Sequence, residues 1–266
     1  MKMNAMYPLF NLNTDIDNPV TIESGVCVLT NEIDIKKLLQ INLSEEDRHH
    51  IQTAQYCLSI DSNTYKPEQA SIIFIISCRL LKRTRVFIRY RIDEMMKVSK
   101  IRDDYPFVTS DDVTSTINES EFSTVSKIFS GLNSFKAIST KTANALYFLG
   151  LAYRSRKWIE SLIFHVCALE TLTSSSDKEN KITDKFINRI NNFIGYDKDQ
   201  LLKIYNIRSE LVHGRYKSDS QDETLVLLRI AEEACRKVFL KILLDKRNLE
   251  SFNKDENRIK LFERGN

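Results

Sequence analysis

Glycine and proline are scarce in this chain, six and four in 266 residues, while 42% of the residues are hydrophobic and 28% charged. That composition excludes a disordered chain and suits a helix-rich globule. The five cysteines, Cys27, Cys57, Cys78, Cys167 and Cys235, are odd in number and never spaced C-x-x-C. This argues against a disulfide framework and a zinc site, and points to a reducing cytoplasm. Long apolar runs are missing too. The longest, near "SIIFIISC", stops at Arg79, short of the ~20 residues of a membrane span, and the N-terminus has no apolar core ahead of a cleavage site. Neither export nor membrane insertion is expected. An excess of one charge is also absent: 39 Lys and Arg against 36 Asp and Glu leave +3, too little to argue for nucleic acid by itself. Any basic site must be local. No Gly-rich phosphate loop, G-x-S-x-G elbow or nucleotidyltransferase carboxylate pair is present, so NTPase and classical hydrolase readings fall away.

What is there reads as two domains, since the length exceeds one average domain. Residues 1–139 look like mixed α/β. Val20 and Ile22, then Val26 and Val28, alternate as short strands about Gly25, and "QYCLSI" is another strand candidate. "IDIKKLLQINLSEEDRHHIQ" is helical in part, with a start at Ser44, and Pro67 opens a buried helix for which a strand competes at its centre. In "RVFIRYRI", Val86, Ile88, Tyr90 and Ile92 alternate with Arg85, Arg89 and Arg91, which predicts one half-buried strand with a basic outer face. The stretch from Arg102 to Glu119 is polar, and helical spacing returns at Phe122, Val125, Phe129 and Leu132. The boundary is placed near Ser139. Residues 140–245 then read as an antiparallel bundle: Ala143–Tyr153, Trp158–Leu172, Ile182–Ile194, Gln200–His213 and Thr224–Leu244, separated by polar breaks. The charged tail, 246–266, is expected to fray rather than bury. The fold class is therefore α+β, an α/β segment followed by an all-α bundle.

In "IYNIRSELVHGRY", Leu201, Ile204, Arg208 and Leu211 form one stripe, which turns Arg208 toward the core. A buried guanidinium needs a carboxylate or an anionic ligand. Glu170, on the edge of the apolar face of Trp158–Leu172, is the candidate partner across the bundle. Gly214 reads as the left-handed residue past a helix end, placing His213 among unpaired carbonyls that favour a cation. Arginine to hold a phosphate and histidine to move a proton make a chemically sensible pair. The bland reading of the same residues is a structural Arg208–Glu170 pair with His213 as a cap.

At these residues the chain resembles the HEPN superfamily, marked by an arginine followed a few residues later by a histidine near the end of a bundle helix, here "RSELVH". It is more similar to the ApeA-like branch, through "IYNIRSELVHG" and through "HVCALETL", whose acidic residue is Glu170. The likeness covers about Lys141 to Leu244. It implies a HEPN-type bundle that dimerises, joining two Arg/His pairs in one cleft. It further implies metal-independent RNA cleavage by 2'-hydroxyl attack, without a cofactor, in a toxin or antiphage-defence effector. Arg208 would stabilise phosphate charge and His213 would serve proton transfer or 2'-hydroxyl positioning, supported by Glu170, Ser209 and Gly214. An antitoxin or regulatory chain is a further implied partner. Ser209 departs from the Asn, Asp or His that follows the arginine in many catalytic members. Some HEPN domains are scaffolds, so a non-catalytic RNA-binding or interaction module is the alternative function.

The basic strand adds a surface for an RNA backbone, Arg85, Arg89 and Arg91, with Phe87 on that side to stack, and Arg215 and Tyr216 extend the RNA-binding set. Its plain alternative is a solvated strand protected by charge. The adjacent His49 and His50 point different ways on a helix and lack a second ligand cluster, so no metal is expected there. His165 reads as a satisfied core histidine.

Overall fold

The computed structural model describes residues 4–30, 32–33, 43–101, 116–175, 180–216 and 221–264. The fold is α+β, an antiparallel sheet with its helices followed by a helical region, in two compact units, Met1–Ser130 and Gly131–Asn266.

The first unit is organised by β1 (Asn4–Phe10), β2 (Val20–Glu23), β3 (Val26–Thr30), β4 (Tyr56–Asp61), β5 (Phe87–Ile88), β6 (Tyr90–Ile92) and β7 (Val98–Lys100). Their order is β2-β3-β4-β1-β6-β7, with β5 also on β1. β1 sits centrally because its Ala5, Tyr7 and Leu9 are buried and it pairs from Asn4↔Asp61 to Leu9↔Tyr56 along β4. Gly25 at φ +85 makes the turn between β2 and β3, as its spacing suggested. Helix α1 (Glu45–Thr53) starts at Ser44, whose hydroxyl accepts from Asp47 N at 3.1 Å. Residues 34–42 of that predicted stretch, and 102–115 of the polar one, lie outside the described residues. Helix α2 (Pro67–Leu81) is buried on most sides, which resolves the helix-or-strand alternative in favour of helix.

The single strand expected over 85–92 is two short ones, and the correction has a cause. β5 pairs with β1 through Leu9↔Ile88 and Phe10↔Phe87, so both its residues are covered, and alternation restarts only at Tyr90. Phe87 is 3% exposed and stacks on Phe10 at 5.1 Å between centroids, so it is not a free stacking platform. Arg89 reaches His50 Nδ1 at 3.1 Å and Arg91 pairs with Glu68 at 3.1 Å. Buried Arg79 donates to Val86 O at 2.9 Å. Much of the predicted basic face is thus engaged within the unit, while Arg85 stays exposed.

Helix α3 (Phe122–Ile138) runs through the division between units. Its second part belongs with the helices that follow: a Cβ on Gly131 would lie 3.1 Å from Leu243 O, and Phe135 packs edge-on against Phe239 and Phe252. Ser139 caps α4 (Thr140–Arg154), its hydroxyl accepting from Thr142 N at 3.2 Å. Next come α5 (Trp158–Thr173), α6 (Ile182–Ile194), α7 (Lys198–Val212) and α8 (Gln221–Leu243). α5 is the axis of the unit. It packs against α4, α6, α7 and α8, and its Leu162, Val166, Leu169 and Leu172 are fully buried.

The tail does not fray. After α9 (Lys246–Ser251), α10 (Asp255–Glu263) packs on α5 and α6, with Phe262 and Arg258 at 0% and 2% exposure. Its charge is not a barrier to burial because the partners are main-chain oxygens. Arg258 donates to Leu172 O and, at 2.6 Å, to Ser174 O; Arg189 donates to Thr173 O at 2.8 Å and Lys141 to Ser174 O at 2.9 Å. Three cations therefore close the carboxyl end of α5, where unpaired carbonyls concentrate negative potential. Asp255 and Glu263 balance Arg258 and Arg189 at 2.5 and 2.8 Å.

Candidate functional site

Helix α7 is fixed at both ends. Asp197 accepts from Gln200 N at 2.8 Å at its start. At its end Gly214 takes φ +66, Gly214 N bonds Leu211 O at 3.2 Å and Arg215 N bonds Glu210 O at 2.8 Å. This is the Schellman arrangement, and it bears out the reading of Gly214 from sequence. An added Cβ at Gly214 would touch nothing within 4 Å, so the requirement for glycine there is purely conformational.

Leu201 and Ile204 are fully buried, and Arg208 continues their stripe with its side chain 25% exposed. Its Nη2 meets Glu170 Oε2 at 2.7 Å, across from the last turn of α5. The same nitrogen lies 3.9 Å from Cys167 Sγ. Burial pushes the Glu170 carboxyl upward, against the pull of Arg208 and the Tyr205 hydroxyl. Burial works to lower the Arg208 pKa, but Glu170 and Cys167 outweigh it and raise it. Tyr205 is held in turn by Phe186, ring centroids 5.0 Å apart. Arg208 Nε is buried with no hydrogen-bond partner among the described residues.

His213 is placed differently. It is the exposed C-cap of α7, its N–H bonded to Ser209 O at 3.0 Å. Five residues of α-helix turn through about 140°, so His213 leaves the Arg208 stripe. Within one chain no hydrogen bond or ion pair links it to Arg208 or Glu170 among the described residues. Ser209 is half-buried, Arg215 exposed, and Tyr216 meets Trp158 edge-on at 6.2 Å. The sequence reading therefore finds the ion pair and the helix end, while the shared cleft expected for Arg208 and His213 is not closed by a single copy.

The remaining candidates resolve simply. His165 is buried, with Nδ1 2.8 Å from Ser161 O and its ring edge-on to Tyr153. His50 lies on Arg89 and 4.0 Å from Glu46, and no group of three or more His, Cys, Asp or Glu suited to a metal occurs among the described residues. Burial pushes the thiols of Cys57 and Cys78 up to about 12, which makes them poor nucleophiles. Among the described residues, no helix is long and apolar enough to cross a membrane.

A feature the sequence reading missed lies beside the ion pair. Glu170, Thr173, Ile182, Lys185, Phe186 and Arg189 wall a small, partly open cavity of about 50 Å³ between α5 and α6. Its signal was present in the strongly amphipathic pattern of α6, but the missing wall comes from α5, nine and more residues away in sequence. No family model, curated protein or solved structure matches the chain.

Proposed function

We propose that the chain is a metal-independent HEPN-type endoribonuclease working as a homodimer, in the manner of a toxin or antiphage-defence effector. The observation that carries this reading is the half-buried Arg208–Glu170 pair, held on the helix whose end presents His213 to solvent. Arginine has five N–H donors, and Glu170 and Cys167 both engage Nη2, so the guanidinium keeps further donors for a phosphate. In the reaction, the ribose 2'-oxygen bonds to phosphorus as the bond to the 5'-oxygen breaks. His213 moves a proton, Arg208 carries the charge on the phosphoryl oxygens, and the products are a 2',3'-cyclic phosphate and a 5'-hydroxyl. Two Arg/His sets brought together across an isologous interface give that chemistry the second proton carrier it needs. Exposed Tyr147, Val212 and Val226 offer apolar surface for such an interface.

The test is incubation of the purified protein with mixed RNA in EDTA, beside His213→Ala and light scattering. Cyclic-phosphate ends lost in a His213→Ala protein that remains a folded dimer support the enzyme. A protein that binds RNA and never cuts it is the scaffold alternative, which Ser209 in place of Asn, Asp or His would favour.

A further inference from the structure

Phe87, the stacking surface expected from sequence, is buried, but a different aromatic pair stands open where α7 stops. Trp158, the first residue of α5 and the only tryptophan of the chain, meets Tyr216 edge-on, with ring centroids 6.2 Å apart and planes at 70°. Both residues are partly exposed. An edge-on contact covers at most one face of each ring, so flat apolar surface is left toward solvent. The core does not call for a tryptophan at this point, because the buried face of α5 begins only at Ser161.

The turn before Trp158 sets charge around the pair. α4 and α5 are joined by three residues, and the first of them, Ser155, is drawn inward, its N–H and hydroxyl both donating to Leu151 O at 3.0 and 2.9 Å. Ser161 clamps the other side, its hydroxyl donating to Ala152 O at 3.0 Å. The turn is left with Arg156 and Lys157 to show to solvent, and both are exposed. Lys157 meets Glu160 at 3.8 Å, but side chains 77% and 46% exposed make that a weak pair. From α7, His213 and Arg215 are exposed just before Tyr216. At about 3.8 Å between successive Cα atoms, each of these groups is rooted within about 11 Å of chain from one ring of the pair.

We propose that Trp158 and Tyr216 form a stacking platform for a base of single-stranded RNA, and that Arg156, Lys157 and Arg215 hold the phosphates on either side, which leads the strand to His213. The inference rests on the ribonuclease reading for its ligand and deepens it by naming where the strand is held. A cationic rim around exposed aromatic faces binds a single strand without reading its sequence. Glu160 and Glu210 temper the charge, so stacking carries a large share of the affinity. Three cations that each neutralise one phosphate give log K a slope of about −2 against log salt. The plain alternative is a staple tying the end of α7 to the start of α5, which predicts a role in stability and no contact with RNA.

The experiment uses the full chain carrying His213→Ala, so that RNA stays intact. Trp158 emission is itself the probe: short oligo-U should quench it saturably, with the midpoint given by the anisotropy of the labelled oligomer. Trp158→Leu should weaken binding about tenfold and Trp158→Phe much less, with folding checked by circular dichroism. Arg156→Gln combined with Lys157→Gln should flatten the salt slope by about 1.4. Unmoved Trp158 emission, or a folded Trp158→Leu variant that binds as tightly as its parent, overturns the platform even if the wild type cuts RNA. Saturable quenching in a protein whose wild type never cuts RNA leaves the platform standing and removes the ribonuclease reading. Polyglutamate that binds as tightly as the oligomer, with the same loss in Trp158→Leu, overturns RNA as the occupant in favour of an acidic protein.

Discussion

The Arg208–Glu170 pair makes a sharp thermodynamic prediction. At about 4 Å between charges and an effective dielectric near 20, the gross attraction is about 4 kcal/mol. Both side chains are largely covered, at 25% and 20% exposure, so desolvation takes back a large share of it. Removing one partner by Arg208→Met leaves a shielded carboxylate with only the Tyr205 hydroxyl. The expected cost is about 2 kcal/mol, between the about 0–1 of an exposed pair and the about 3–5 of a fully buried one. Glu170→Leu should cost a similar amount. The double variant, apolar on both sides, should recover much of the loss and lie within about 1 kcal/mol of wild type. The chain has a single tryptophan, Trp158, at the start of α5, so urea unfolding followed by its fluorescence reports this unit alone. If the double variant is as unstable as the sum of the two singles, the charges are not coupled, and the pair does not account for a core-facing arginine. If it is as stable as wild type yet inert toward RNA, the pair is there for chemistry rather than for stability.

Two further outcomes follow from other contacts. The Tyr90 hydroxyl, 2.5 Å from Asp47, is the main cause holding that carboxyl below its ordinary range. A depressed folded pKa contributes stability that is present above the unfolded value near 3.9 and lost as pH falls through the folded one. Tyr90→Phe should therefore shift acid unfolding, read by far-UV circular dichroism, to higher pH; superimposable acid limbs would rule the contact out as its source. Phe262 is fully buried against Phe193 and Phe252, so Phe262→Ala should cost about 3–5 kcal/mol by Trp158 fluorescence, whereas a frayed tail predicts a change below about 0.5 kcal/mol.

What the sequence made legible was local. Helical spacing from Phe122 onward, Pro67 at a helix start, Ser44 as a cap and Gly214 as a stop are each decided within a few residues, and the structure has them where they were read. The Arg208 stripe and its partner Glu170 were readable because both lie on long helices with clean apolar faces. What escaped depends on distant partners. β1, "NAMYPLF", carries Pro8 and no clear alternation, and it is a strand because β4 and β6 flank it. β5 loses its alternation to pairing with Phe10, and α10 reads as charged because the carbonyls that hold Arg258 belong to α5. The likeness that assigns a role to His213 says nothing of the turn that carries it away from Arg208.

The cationic closure of α5 also sets an order in time. Arg258 follows Leu172 by 86 residues, and Glu170 lies in the helix turn that Arg258 completes. At about 5–20 residues per second, synthesis spends about 4–17 seconds between the two. Throughout that interval the nascent α5 has its acidic side chain but not the arginine that ties down its carboxyl end. The carboxyl end of α5 is thus completed late in the synthesis of each molecule, by a side chain from the last helix of the chain's described residues.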